Sequence, residues 1–556
     1  MKKCAIALVL AVLMLVSGCT GGENQDDGVP LGGDGRDKTG AYLLAANGEA
    51  VIDDGAAKNA VETTDNYRVF YEIFVGSFSD SDGDGTGDLK GIINRMDYLN
   101  DGDDASGLSL GVEGIWLTPI FKSSSYHKYD VDDYYQIDPA FGTEDDLRQL
   151  IDICHERNVK IILDLVLNHT GTNNPWFNAF KAAHISGDTS DPYYDFYTYY
   201  SEDDVIPTGR AFTKLSGTKD YYECNFSGNM PELNYDNEEV RQAVLDVAKY
   251  YLDLGIDGFR FDAAKYIYYG DNPRSAEFWQ WYMDELRAIK PDIYTVAEVW
   301  DSDGVTDCYY PALNCFNFTT SQTSGLIAQT AQAGDVNQYT SYVESYIKRV
   351  EPMNEGAMIV PFIANHDTDR AAGYLTEASG QMQMAANLYI LSAGSPFIYY
   401  GEEIGLRGSR GGANTDANRR LKMEWGDGDK VSDPEGTSYG SSRVNATVSE
   451  QIGDGGSLFS YYKKLIMIRK ANPAIARGEY TALKFSDTKV GGFKAELDGK
   501  AVAVIHNTTN SEKTVDLAEA GISSASLNAY IGIGSASLEG TVLTLSEKTS
   551  AVIDIG

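Results

Sequence analysis

Histidine and cysteine are scarce in this chain, with 6 of each among 556 residues. Basic residues are also in short supply: 45 Lys and Arg face 82 Asp and Glu, for a formal net charge of −37. Such a field repels polyphosphate and excludes nucleic acid as a partner. A neutral polymer meets no comparable penalty. Otherwise the surplus acid serves solubility. After the first twenty residues no run is long and apolar enough to cross a bilayer. Of the cysteines, Cys4 and Cys19 lie at the extreme N-terminus, and Cys154, Cys224, Cys308 and Cys315 show no metal-binding spacing. An oxidising compartment would permit Cys308–Cys315 and Cys154–Cys224 bridges, and four free thiols are the alternative.

The N-terminus carries a processing signal. Met1-Lys2-Lys3 is a positive n-region and Ala5 to Val16 is an apolar stretch of signal-peptide length. It ends in Val16-Ser17-Gly18-Cys19, which resembles a bacterial lipobox. The expectation is a signal peptide over 1–18, a lipidated Cys19 that attaches the protein to the membrane, and a tether over 19–64. Residues 20 to about 40, rich in Gly and Asp, read as flexible. All chemistry would then take place outside the cytoplasm, at the bacterial cell membrane or cell surface, with the protein a monomer.

From Tyr67 short apolar runs alternate with longer amphipathic stretches. Strands are expected at Val69–Phe74, Gly114–Pro119, Val159–Leu165, Gly258–Phe261, Ile293–Ala297, Cys315–Phe318, Ala357–Ile363 and Pro396–Tyr400. Helices are expected at Glu144–Arg157 and Glu239–Leu254. Eight such strands imply an α/β fold, a (β/α)8 TIM barrel over 65–168 and 231–475. About 90 residues separate strands three and four, so residues 169–230 read as an inserted lobe. Residues 476–556 alternate apolar and polar, as in Ala501–His506 and Thr541–Leu545, and predict a C-terminal antiparallel β-sandwich domain.

The chemistry lies where these strands end, which in such a barrel is where active sites gather. Strand three runs into Asp164-Leu165-Val166-Leu167-Asn168-His169. Strand four ends Arg260-Phe261-Asp262-Ala263-Ala264-Lys265. Strand five ends Ala297-Glu298-Val299-Trp300, and strand seven Asn365-His366-Asp367. Several acids with two His and an Arg are hard to explain as packing, because buried charge is costly without a role or a partner. Three acids around one pocket suit glycoside hydrolysis. One carboxylate stabilises the oxocarbenium centre and a second, held neutral, protonates the departing oxygen. Arg260, two residues before Asp262 on the same strand face, can keep Asp262 ionised.

These four segments resemble, in order, the signature regions of the α-amylase family, family 13 of the glycoside hydrolases. Gly114-Ile-Trp-Leu-Thr-Pro119, Met230-Pro-Glu-Leu-Asn234 and Pro396-Phe-Ile-Tyr-Tyr-Gly-Glu-Glu403 resemble three further family motifs. The resemblance spans roughly residues 65–475. It implies Asp262 as nucleophile, Glu298 as general acid and base, and Asp367 as the acid that binds ring hydroxyls and distorts the sugar. It also implies retention of anomeric configuration. His127, Tyr129, His169, Arg260, Lys265 and His366 match family positions that contact the substrate, with Tyr129 stacked on the ring. Three of the 6 histidines sit in these motifs, which argues against chance. One departure is Lys265-Tyr266, where many α-amylases have Lys-His; it implies an altered product pattern or transfer tendency.

Asp80-Ser-Asp82-Gly-Asp84-Gly-Thr86-Gly-Asp88 places alternate carboxylates in a Gly-rich loop, hard oxygen ligands for Ca2+. It begins like an EF-hand loop, but Gly91 stands where the bidentate Glu belongs. It resembles a calcium loop of some family members, with side chains from Asp80, Asp82, Asp84 and Asp88 and the carbonyl of Thr86. Asn168 matches a ligand of a second family calcium site. The leading expectation is an α-amylase that cleaves α-1,4 bonds in starch and maltodextrins. The alternatives are an α-1,6-glucosidase or glucan-transferring enzyme of the same family, and a non-catalytic glucan-binding surface protein.

Overall fold

The computed structural model describes residues 62–103 and 109–555, together with the short paired strands Leu43–Ala45 and Glu49–Val51. The expected signal peptide, the lipobox and Cys19 lie outside the described residues. Thr63, near the end of the stretch read as tether, is buried, and its carbonyl accepts a hydrogen bond from Arg68.

Six parallel strands follow the expected order: Phe70–Ile73, Gly114–Leu117, Lys160–Leu165, Gly258–Phe261, Tyr294–Ala297 and Asn314–Cys315. An eighth, Phe397–Tyr399, pairs with the first. The seventh position, expected as a strand over Ala357–Ile363, is reduced to two parallel bridges, Val360 to Phe316 and Phe362 to Phe397. Those bridges still close the ring between strands six and eight. Pro361 lies between the two bridged residues and has no N–H for a ladder. The helices Glu144–Glu156 and Glu238–Leu254 sit within a residue of the expected stretches.

Strand periodicity sorts the side chains. Phe70, Trp116, Ile162, Tyr294, Val296, Phe316, Val360, Phe362 and Phe397 form one cluster that fills the barrel. Their odd-numbered neighbours, such as Tyr71, Ile115 and Phe259, pack outward into a second, larger cluster with the helices. Gly258 permits close pairing: a Cβ there would stand 1.7 Å from the Tyr294 carbonyl oxygen. The same alternation turns Glu72, Asp164, Arg260 and Asp262 inward, one step above the apolar layer.

The lobe between strands three and four has one helix, Pro175–Ser186, capped by the Asn174 side chain. It also has a three-stranded antiparallel sheet of Tyr199–Ser201, Asp220–Glu223 and Phe212–Lys214. Bridges from His169 to Glu232 and from Tyr197 to Leu233 bind it to the barrel.

Behind the barrel, Glu479–Lys484, Val490–Leu497, Lys500–Asn507, Thr549–Ile555 and Ser526–Gly532 form a five-stranded antiparallel sheet. It faces a three-stranded sheet of Lys513–Asp516, Val542–Leu545 and Ala536–Glu539. Val504 turns toward the barrel cluster, whereas Ile505, Val515, Leu543 and Ile553 fill the sandwich. Of the two alternatives left open for the cysteines, free thiols are found: Cys154, Cys224, Cys308 and Cys315 are all unbridged. Cys308 is exposed while Cys315 is buried, and Cys154 lies inside a barrel helix while Cys224 belongs to the lobe. No described helix is long and apolar enough to cross a membrane.

Candidate active site

Arg260 is the hub of the site. Strand register sets it beside Asp164 on strand three, and its guanidinium bonds Asp164 Oδ1 at 2.8 Å. The same Nη1 bonds Asp262 Oδ1 at 2.6 Å, and Nη2 bonds Glu298 Oε2 at 2.9 Å. Arg260 is fully buried, with its guanidinium over the Trp116 ring. Removing such a charge from water is tolerable only with partners of this quality. Thus carboxyls from strands four and five sit side by side on one guanidinium.

The backbone contributes to the same contact. Ala263 has φ +47, a left-handed conformation that costs a non-glycine residue about 1–2 kcal/mol. The turn directs the Ala263 N–H at Glu298 Oε2, 3.1 Å away. Oδ1 of Asp262 and Oε2 of Glu298 are therefore engaged, which leaves Asp262 Oδ2 and Glu298 Oε1 without a protein hydrogen bond. Strain of this kind persists where the surrounding structure enforces it.

Asp367 follows strand position seven. Its Oδ1 accepts from Arg420 Nη2 at 2.6 Å, and its Oδ2 lies 3.1 Å from His366 Nε2. Arg419 donates to its carbonyl. Arg420 also donates to the Tyr126 hydroxyl and the His366 carbonyl. Tyr129 stacks on His366 with centroids 5.4 Å apart and donates its hydroxyl to Asp164. His127 accepts the Tyr129 N–H at Nδ1, so the neutral ring carries its proton on Nε2. His169 is buried, and its Nε2 has no protein partner. Lys265 lies farther out, bonded to the Trp300 carbonyl and Asp301.

Electrostatics differentiate the acids. Burial raises Asp262 to about 6, with Arg260 opposing and Asp164 and Asp367 adding to the rise. Burial also raises Glu298, against the pull of Arg260 and with help from Asp262 and Asp367. For Asp367 burial is overcome by His366, Arg420 and Arg260, which hold it well below the carboxylate range. Burial lowers His127 and His169 to about 4, so both are neutral at pH 7. The result is one firmly ionised acid, Asp367, and two, Asp262 and Glu298, whose proton affinity burial raises.

The structure thus brings together Asp262, Glu298, Asp367, Arg260, His366, Tyr129, His127 and His169, with Lys265 at the rim. It adds Glu72, Asp164, Arg420 and Phe226, which the strand-end motifs do not single out. Asp164 was detectable, since it falls on the inward face of strand three. Phe226, half exposed on the lobe, touches His169 and Tyr266. Nothing in the periodicity of its loop points to it.

In the Asp-rich loop, Asp80, Asp82 and Asp88 offer carboxylate oxygens that all lie within 4.8 Å of one another. Asp84 falls outside that trio; like Asp80 and Asp82 it accepts a backbone N–H of the loop, that of Thr86. The hard oxygen set and the crowding of like charges both fit a divalent cation such as Ca2+. Asn168 lies at the lobe junction beside buried Glu232, which burial and the neighbouring Glu223 raise to about 7.

Residues 72–478 match the family model described as Alpha amylase, catalytic domain. Alpha-amylase 3 of Dictyoglomus thermophilum is 36% identical over 452 residues, 80% of this chain and 85% of that protein. The solved structure of Eubacterium rectale Amy13B superposes with a TM-score of 0.83 at 33% identity, covering 93% of this chain and 100% of that one. That of an alpha-amylase from H. orenii gives 0.77 at 32% identity, covering 88% and 100%.

Proposed function

We propose, for a chain that belongs to the α-amylase family, that it cleaves α-1,4-glucosidic bonds in starch and maltodextrins. It is a glycoside hydrolase of α-glucans that acts with retention. The observation that carries the assignment of roles is the Arg260 guanidinium, bonded at once to Asp262 and Glu298. A retaining site needs two carboxyls ~5 Å apart across one anomeric carbon, and a shared guanidinium keeps them adjacent.

In the proposed reaction Asp262 Oδ2 attacks the anomeric carbon. The glycosidic C–O bond breaks, and the departing oxygen takes the proton of Glu298. A β-glycosyl ester on Asp262 results. Glu298, now ionised, removes a proton from water, which attacks the same carbon and frees Asp262 with the original configuration restored. Asp367 accepts hydrogen bonds from ring hydroxyls as the ring flattens. His127, His169 and His366 line the glucose, and Tyr129 gives it an aromatic face. Lys265 and Tyr266 meet the sugar on the leaving-group side.

Ca2+ would be held by Asp80, Asp82 and Asp88, with Asp84 and Thr86 at its edge, and would stabilise the loop rather than take part in the reaction. A second ion at Asn168 belongs to the same proposal. The processing signal supports a lipid anchor at Cys19 and an extracytoplasmic enzyme, and a monomer is part of the same proposal.

A time course of products from maltoheptaose and soluble starch, with the product anomer followed by NMR, tests this reading. Shorter α-anomeric maltodextrins are expected. Pullulan and isomaltose serve as the counter-test. Preferential cleavage of isomaltose would move the assignment to an α-1,6-glucosidase, and products longer than the substrate would move it to a transferase. Absence of turnover with retained glucan binding would leave a binding protein.

A further inference from the structure

One buried acid meets the catalytic centre and takes no part in the chemistry above. Glu72 is the third residue of strand one, on its inward face and 1% exposed. Its Oε1 lies 2.5 Å from His366 Nδ1 and 3.4 Å from the His366 backbone N, whose N–H it accepts. The other ring nitrogen, Nε2, stands 3.1 Å from Asp367 Oδ2 and 2.7 Å from the Tyr129 hydroxyl. That hydroxyl spends its own proton on Asp164 Oδ2 at 2.8 Å. Asp164 in turn shares Arg260 with Asp262.

We propose that Glu72 is a positioning residue of the catalytic centre. It holds the His366 imidazolium from inside the barrel, and through it the Asp367 carboxylate and the Tyr129 hydroxyl that receive the glucose ring. This rests on the reading of Asp367 as the ring-binding acid.

The hydrogen-bond inventory leads there. Nδ1 meets only a carboxylate, so it must donate. Nε2 meets a carboxylate and a hydroxyl already committed as a donor, so it must donate too. A doubly protonated ring is the one state that satisfies both sides. Its faces offer no other acceptor: Tyr129 stacks on one, and Trp116 stands edge-on at 5.7 Å. The charged and titratable groups around it come from five elements. They are Glu72 on strand one, His127 and Tyr129 after strand two, Asp164 on strand three, Asp367 in its own loop, and Arg420 after strand eight, whose Nε donates to the His366 carbonyl. Burial disfavours the charge, yet Asp367 and Glu72 push His366 up to about 10. Without Glu72, Asp367 alone would have to balance both His366 and Arg420.

The test is Glu72→Gln in the full chain. The amide oxygen can still accept from Nδ1, so orientation survives and only the charge is removed. His366 should then lose its second proton at least one pH unit lower, a tenfold change in its ionisation equilibrium. The alkaline fall of kcat/KM for maltotetraose should then begin at lower pH than in the parent, with little change in melting temperature. Glu72→Ala, which also removes the acceptor, should lose activity across the whole range. A 15N titration of His366 reads the same shift without substrate, so it decides the point even if the enzyme acts on another glucan. Identical His366 titrations in parent and Glu72→Gln would overturn the proposal. So would parallel pH profiles with only a lowered melting temperature, which would make Glu72 structural.

Discussion

Each acid in the cleft is defined by the cation it leans on. Asp367 has His366 and Arg420, whereas Asp262 and Glu298 divide one arginine with Asp164. That unequal sharing keeps Asp367 ionised while burial lifts the other two. Asp262→Asn should lower turnover on starch by about 10³-fold or more, since nothing else in the cleft can form the ester. Glu298→Gln should do the same for natural glucans. Maltoheptaose binding, read by calorimetry, should persist in both; turnover near the parent's in either variant would remove the mechanism. The pH dependence has a definite sign. The nucleophile must be ionised, so kcat/KM should fall as pH drops through about 6, where Asp262 takes up its proton. On the alkaline side it should fall as the raised Glu298 loses its proton. The two carboxyls interact, so the two limbs belong to the pair. At this scale the sequence was informative for acids at strand ends, and for Arg260 because it lies two residues from Asp262. Glu72 was not legible, since within Phe70-Tyr-Glu-Ile-Phe74 it looks like one polar residue inside a strand. Arg420 was not legible either, because its loop has no period against which an inward position could be judged.

Elements of the barrel were readable in proportion to their apolar regularity. Strands one to five lie within a few residues of expectation, while strand six shrinks to Asn314–Cys315 and position seven to single bridges. Apolar runs such as Ala357–Ile363 give burial, but ladder pairing also depends on neighbours that a single run does not reveal. In the Asp-rich loop, composition pointed to the acidic cluster that the structure places together. Asp88 is the N-cap of Leu89–Asn94: its Oδ1 accepts the Gly91 N–H and its Oδ2 the Ser81 N–H. Ser79, just before the loop, bonds Asp429, which also binds Arg95, so the loop is joined to a segment some 350 residues away in the chain. A cation bound only in the folded state would stabilise all three pieces by mass action. Melting in EDTA should therefore occur below melting in excess Ca2+, and Asp80→Asn should narrow the difference to whatever the ion proposed at Asn168 contributes. Equal melting temperatures in the parent would reject the loop as a calcium site. What composition did not reveal is which carboxylates converge: oxygens of Asp80, Asp82 and Asp88 lie within 4.8 Å of one another, and Asp84 is outside that trio.

The barrel and the β-sandwich behind it meet through buried polar contacts as well as apolar ones. Lys548 Nζ donates to the carbonyls of Ala331 and Thr508, and Lys489 Nζ to that of Ala333. Two cations thereby sit at the C-terminal end of the barrel helix Leu326–Ala331, where the helix dipole favours positive charge. Asn387, fully buried in the helix that precedes strand eight, is another junction. Its Nδ2 reaches Ser550 Oγ and the Ile531 carbonyl across the interface, while its Oδ1 accepts the Tyr461 hydroxyl. Ser550 also bonds the His506 ring, which burial lowers to about 3 and so keeps neutral. This network contacts no residue of the cleft, so it should govern integrity and not turnover. Asn387→Leu, close in volume, would leave the Tyr461 hydroxyl without its acceptor and take a donor from the Ile531 carbonyl and from Ser550, which keeps His506. Leaving such groups unpaired costs roughly 1–3 kcal/mol. In a chain of this size that corresponds to a fall in melting temperature of about 1–3 °C. At 25 °C kcat on starch should equal that of the parent. A variant that melts with the parent would show that the apolar part of the interface alone holds the two units. A variant that keeps its melting temperature but loses turnover would mean that the sandwich steers the cleft through strand eight.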